Sequence, residues 1–177
     1  RLMAEEMTDR LCVKLKKRAE CRTHLELLPG CTADLPWLDE SRRTGLDPLT
    51  VRRLMYRHGT KAAAILDMAC RDKEMAQTLC ECDQVIAAEV AYCVREEWAT
   101  RPSDIRRRTR LGMGPCQSCR CADRTALFMG RLLHWSRDEI SHHAAALTER
   151  RWAGNLPVLF GEQAKQEEYA RYMRLMN

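Results

Sequence analysis

The sequence predicts an all-α fold of several short helices, and three observations predict it. Apolar residues recur at helical spacing along most of the chain, helix-starting and helix-stopping residues punctuate those runs, and no stretch alternates with period two for long enough to form a sheet. Pro157-Val158-Leu159-Phe160 comes nearest to a strand and is too short to count.

In chain order, Arg1 to Lys17 places Leu2, Met3, Met7, Leu11, Cys12 and Leu15 at helical spacing with charges between them. Cys21 to Leu38 carries two Pro, one Gly and no sustained period, and reads as a linker. Asp47-Pro48 supplies an N-cap and a first-turn proline for a helix through Val51, Leu54 and Met55, which stops at His58-Gly59. Thr60 is the expected cap of the next helix, through Ala64, Ile65, Met68 and Ala69. Val85, Ile86, Glu89, Val90, Cys93, Val94 and Trp98 share one register of a further helix. Arg101-Pro102-Ser103-Asp104 breaks it, and Ser103 or Asp104 caps a short basic helix ending near Leu111-Gly112. After the Gly112-Met113-Gly114-Pro115 turn, helices resume over about Asp123 to Leu133, Asp138 to Arg150 and Gly161 to Met176.

Composition narrows the function classes. The chain has 177 residues, 45% apolar and 31% charged, with a net charge of +5, the balance of a folded globular protein. No apolar stretch approaches the roughly 20 residues of a membrane span; the best, Ala62 to Leu66, is cut off by Asp67. Neither G-x-G-x-x-G nor G-x-x-x-x-G-K-[ST] occurs, which excludes a self-contained nucleotide-binding domain within this stretch. No aromatic is interleaved with the arginine run from Arg106 to Arg110, and the net charge is low, so no nucleic-acid partner is expected. The chain opens at Arg1 with neither an initiator Met nor a signal peptide, and reads as a piece of a longer protein.

The ten cysteines carry the chemistry. A disulfide framework suits small, loop-rich secreted chains, and this chain is larger and helical. Cys12, Cys21, Cys31, Cys70 and Cys93 stand singly, whereas Cys80 and Cys82 form one group and Cys116, Cys119 and Cys121 another. Clustered thiols in a reducing compartment bind metal or do redox work. A helix, a Pro-Ser-Asp break and a shorter helix separate the groups, so a helix-turn-helix hairpin brings the two cysteine loops to one end. Four thiolates on such loops suit a [2Fe–2S] cluster or a structural zinc. Zinc prefers C-x2-C knuckles, and the C-x-C half is less usual for it. Arg106, Arg107, Arg108, Arg110, Arg120 and Arg124 flank the second loop and suit an anionic cluster, while Gly112 and Gly114 let backbone N–H groups approach sulfur.

Cys80-Glu81-Cys82, the run Ile105-Arg106-Arg107-Arg108-Thr109-Arg110-Leu111-Gly112-Met113-Gly114 and Cys116-Gln117 resemble the C-terminal region of the A subunit of anaerobic glycerol-3-phosphate dehydrogenase. That region in turn resembles the bacterioferritin-associated-ferredoxin type of [2Fe–2S] domain. The likeness extends to Arg1-Leu2-Met3-Ala4-Glu5, Cys21-Arg22-Thr23, Leu28-Pro29-Gly30 and Leu147-Thr148-Glu149-Arg150-Arg151-Trp152. It implies a parent flavoenzyme whose N-terminal FAD domain, missing here, oxidises sn-glycerol 3-phosphate to dihydroxyacetone phosphate and passes electrons through further subunits to membrane quinone. It also implies a cytoplasmic location, peripheral at the inner face of the cell membrane through those subunits.

The resemblance implies four divisions: 1–35, a helix and linker trailing the FAD domain; 36–78, a helical subdomain; 79–133, the [2Fe–2S]-binding subdomain; and 134–177, a C-terminal helical segment. The family spacing C-x4-C maps the cluster ligands to Cys80, Cys82, Cys116 and Cys121. The shorter C-x2-C spacing of the small ferredoxins would choose Cys119 instead, and this sequence carries both. A loop continuing past Cys116, with Asp123 as the N-cap of the next helix, favours Cys121. No catalytic residue is expected in this stretch. The alternative function is a structural zinc or plain subunit-docking helical domain.

The remaining candidates read as packing. Adjacent His142 and His143 point about 100° apart on a helix and cannot easily share a metal. His58 is expected to meet a helix C-terminus, and Cys12, Cys70 and Cys93 to fill the core. Tyr169, Tyr172, Met173 and Met176 lie on the last helix, where packing is the default and subunit docking the alternative.

Overall fold

Asp47 starts a helix with its own side chain. Its Oδ1 accepts from Leu49 N at 2.9 Å and Thr50 N at 3.2 Å, with Pro48 at the first helical position. The computed structural model describes residues 1–28, 30–31 and 36–175, and side chains as far as residue 173. Pro29 and Met176, named above, lie outside the described residues.

The elements run α1 (Leu2–Lys14), α2 (Trp37–Thr44), α3 (Pro48–His58), a 3-10 turn (Gly59–Lys61), α4 (Ala62–Arg71), β1 (Thr78–Cys80), β2 (Val85–Ile86), α5 (Ala87–Glu96), α6 (Pro102–Thr109), α7 (Ala122–Leu133), α8 (Arg137–Asn155), a second 3-10 turn (Leu156–Val158) and α9 (Gly161–Leu175). The fold is predominantly helical, as the apolar periodicity predicts. The two strands pair antiparallel, Thr78 with Ile86 and Cys80 with Val85, with an irregularity between Thr78 and Cys80.

Several local expectations are corrected. Val85 and Ile86 belong to the small hairpin rather than to the following helix, because Ala87 N and Ala88 N bond back to the carbonyls of Gln77 and Met75 and turn the chain before α5 begins. Trp98 does not face the core: it has φ +53 and is 85% exposed. The linker ends earlier than Leu38, since α2 starts at Trp37 and closes on Gly45 in the left-handed region. Thr60 caps nothing; it sits inside the 3-10 turn that joins α3 to α4. In α6 the N-cap is Arg101, Pro102 takes the first position, and Asp104 reaches back to accept from Arg101 N at 3.1 Å. Residues Pro157 and Val158 are 3-10, not extended. Cys12 is half-buried and Cys70 exposed, so neither fills the core as expected, whereas Cys93 does.

Two apolar clusters hold these elements. Val51, Leu54, Ala62, Ile65, Leu66 and Ala69 from α3 and α4 pack with Ile86 and Ala88. The second cluster joins Val85, Val90, Cys93, Ile105, Leu111, Phe128, Met129 and Leu147, and it includes Cys80 and Cys121. Each fully buried Leu or Ile contributes roughly 1.5–3 kcal/mol relative to exposure. The hairpin and α5 therefore sit where both clusters meet, and the cysteine loops emerge from packed structure. Among the described residues, no helix is long and apolar enough to cross a membrane.

Candidate functional site

The two cysteine groups meet. Cys80 ends β1 and is buried at the base of the hairpin loop, while Cys121 is the N-cap of α7 and equally buried. Their thiols are neighbours close enough to shift one another's protonation. Half-buried Cys82, in the hairpin loop, pairs in the same way with half-buried Cys116. Cys119 is exposed and belongs to neither pair. The expected cap is corrected here, because α7 starts at Ala122, leaving Asp123 within its first turn. Among the described residues, no group of three or more His, Cys, Asp or Glu side chains is gathered tightly enough to hold a metal ion as it stands.

The electrostatics of the pairs follow from their contacts. Cys80 is lowered to about 6, first by the hydrogen bond from the Cys121 thiol and then by the backbone N–H groups of Gly112 and Asp83, with burial opposing. Cys121 is raised strongly by that same bond to Cys80, by burial and by the negative charge at Cys80 and Cys116. For Cys82 the Cys116 backbone N–H pulls down, but the Cys116 side chain, burial and the charges of Cys116 and Cys80 outweigh it, and the thiol is raised. Crowded thiols resist holding several negative charges at once without a cation.

Glycine makes the close approach possible. A Cβ on Gly114 would run into Cys82 Cβ and lie 3.0 Å from its Sγ. Gly112, at φ +72, has the Ser118 hydroxyl where a Cβ would stand and Cys121 Sγ at 3.8 Å from that point. Ser118 Oγ donates to Gly112 O at 3.1 Å and closes the loop. Gln117 and Ser118 both occupy the left-handed region, and Asn155 at the end of α8 donates to Gln117 Oε1 at 2.9 Å.

Charges tie one loop to the other. Arg120 and Arg124 pair with Glu81 at 3.4 and 3.2 Å, and Arg110 with Asp83 at 3.8 Å. Arg108 turns away to Glu97, and Arg107 to Asp104, so the basic run divides its tasks.

One support has no local signature in the sequence. Arg53 Nη1 donates to Cys82 O at 2.9 Å, and Arg57 Nη1 to Asp83 O at 3.0 Å, so α3 holds the first loop by its carbonyls. Arg57 is in turn gripped by Glu89, which is fully buried and also bonds His58 Nε2 at 2.8 Å. His58 ends α3, as expected, and its ring also serves a buried carboxylate. His143 stacks on Trp135 with centroids 4.1 Å apart, and His142 meets it edge-on, so this pair packs.

The family described as the C-terminal domain of alpha-glycerophosphate oxidase matches residues 21–140. The A subunit of the anaerobic glycerol-3-phosphate dehydrogenase of Haemophilus influenzae is 37% identical over 174 residues, covering 98% of this chain and 30% of that protein. The corresponding protein of Escherichia coli K12 is 33% identical over 174 residues, 98% of this chain and 31% of its own length. The A1 subunit of the Haloferax volcanii enzyme is 32% identical over 168 residues, 94% of this chain and 27% of that protein. The chain therefore spans about 30% of the length of the curated relatives it matches. No solved structure matches it.

Proposed function

The chain belongs to the family of the C-terminal domain of alpha-glycerophosphate oxidase, and from that premise we propose that it is the electron-relay portion of an FAD-dependent glycerol-3-phosphate dehydrogenase. The observation that carries this reading is the pairwise meeting of Cys80 with Cys121 and of Cys82 with Cys116 from two separate loops. A donor set of four thiols, two from each loop, fits a [2Fe–2S] cluster, and the positions that Gly112 and Gly114 leave free of Cβ atoms fit close backbone approach.

In this reading Cys80, Cys82, Cys116 and Cys121 hold the cluster, and Cys119 remains outside. When bound, such a centre accepts one electron at a time, which matches a two-electron flavin to a one-electron chain. The protein supplies position and potential. The N–H groups of Gly112 and Asp83 that reach Cys80 favour its thiolate, and Arg110, Arg120 and Arg124 clamp the loops together. Burial of Cys80 and Cys121 keeps water from the inner pair, while half-buried Cys82 and Cys116 form the outer side.

The parent's FAD domain would remove two electrons and two protons from the secondary alcohol of sn-glycerol 3-phosphate, giving dihydroxyacetone phosphate. Electrons would then reach other subunits and membrane quinone, with this portion on the cytoplasmic side. The Haemophilus influenzae, Escherichia coli and Haloferax volcanii relatives are each named as one lettered subunit of an anaerobic dehydrogenase, which supports partner subunits. Anaerobically purified or reconstituted full-length protein is expected to be brown, with two iron per chain and a rhombic EPR signal after dithionite reduction. Protein that takes up zinc but no iron under those conditions would sink the reading.

A further inference from the structure

The cleft between α6 and α8 holds more positive charge than its surroundings balance. Arg106 and Arg107 project from α6, and Arg150 from α8, with Arg151 on the neighbouring face. Half-buried Arg106 is pushed down, first by burial and then by the charges of Arg151, Arg150 and Arg107. The nearby acids are already engaged: Asp104 balances Arg107 at 3.0 Å, and Glu149 pairs with Arg171 at 2.7 Å, which leaves Arg106 and Arg150 without counter-charge. Among the described residues, Arg106 and Arg150, which face the cleft, have no acidic partner.

The space matches the charge. A cavity of about 400 Å³ is lined by Ser103, Arg106, Arg107, Met113 and Arg150. Ser103 and Arg150 also line an adjoining cavity of about 330 Å³, where Arg101, His142 and His143 add further nitrogen donors. Guanidinium groups without counter-charge beside a half-buried wall repel one another, and a bound anion relieves that repulsion.

We propose that the α6–α8 cleft is a binding site for a phosphomonoester dianion, set between Arg106 and Arg107 on one wall and Arg150 on the other, with Ser103 as a hydroxyl donor. A compact tetrahedral group with two negative charges can take bidentate bonds from more than one guanidinium. A small open recess admits such a compact group more readily than the broad face of an acidic protein. The site does not depend on the cysteines, so its test is independent of cluster loading.

The test is thermal melting of the full chain with inorganic phosphate, with ionic strength held constant by chloride, beside flotation with phosphatidylcholine vesicles with and without phosphatidic acid. Phosphate is expected to raise the Tm by several degrees at saturation. The double variant Arg106→Gln, Arg150→Gln should melt higher than the parent without phosphate, because repulsion is gone, and should gain nothing when phosphate is added. Binding of phosphatidic acid vesicles that the same variant loses would support the proposal with a lipid headgroup as the source. No response to either probe, or an equal response from the variant, would overturn it.

Discussion

Arg57 and Glu89 form a buried, two-pronged ion pair that ends in the first cysteine loop. Arg57 Nε and Nη2 each lie 2.7 Å from a Glu89 carboxylate oxygen, and Arg57 Nη1 continues to Asp83 O. The Glu89 side chain is wholly buried and that of Arg57 nearly so. Such a pair contributes little by existing but much by being complete, since the loss of one partner strands a charge in a dry interior.

Glu89→Gln is therefore expected to lower the unfolding free energy by about 3–5 kcal/mol. Urea denaturation followed by circular dichroism measures it, through a lower midpoint with an unchanged slope. A loss below about 1 kcal/mol, the range of an exposed pair, would mean that Arg57 finds water or another acceptor. The neighbouring His58–Glu89 bond should make His58→Ala destabilising as well.

Gly114→Ala tests the contact between the loops rather than the fold. Its Cβ would collide with Cys82 Cβ, inside a loop that α3 holds through Arg53. Relief requires the two loops to part, at a cost of roughly 1–3 kcal/mol for overpacking. The variant should keep its helical circular dichroism and lose most of the iron taken up on reconstitution. Full iron uptake would show that the loops separate freely.

These cases also show what can be read from the sequence. Helix α3 is legible at both ends because its signals are local: Asp47 and Pro48 start it and Gly59 ends it. The cysteine groups are legible because thiols are rare and their spacing is tight. The hairpin is not, since β1, with three residues, and β2, with two, are each too short for period two to be recognised. Glu89 falls in step with an apolar stripe, and only its distant partner Arg57 explains why a carboxylate can stand there. Trp98 keeps the helical register but follows Glu97, the C-cap of α5, so the register no longer applies to it. Non-local pairing and chain reversal decided the features that periodicity misses.

The choice between Cys119 and Cys121 follows from the proposed ligand set. Cys121 faces Cys80 across the buried inner pair, while Cys119 points to solvent. Cys121→Ser is expected to lose or strongly shift the visible spectrum of the reconstituted centre, and Cys119→Ser to leave spectrum and iron content nearly unchanged. The reversed pattern would assign the shorter C-x2-C spacing to this chain.

Thiol labelling in the native protein should separate the cysteines by environment. Cys93 is fully buried on α5, and burial, with Glu97 and Glu89 nearby, pushes it up to about 12. Only the thiolate attacks iodoacetamide, so at pH 8 about one Cys93 in ten thousand is in the reactive form, before any steric barrier is counted. Cys31, Cys70 and Cys119 are exposed and meet the reagent directly. Mass spectrometry after brief labelling should find those three carboxamidomethylated and Cys93 unmodified, and Cys93 should react only after denaturant is added. Its native-state labelling rate should then follow global unfolding, so that Glu89→Gln, which loosens the same core, speeds the modification of Cys93 by the factor that its loss of stability sets. Rapid labelling of Cys93 in the intact protein would mean that α5 opens locally and that the buried Glu89 is reached by water far more often than its packing implies.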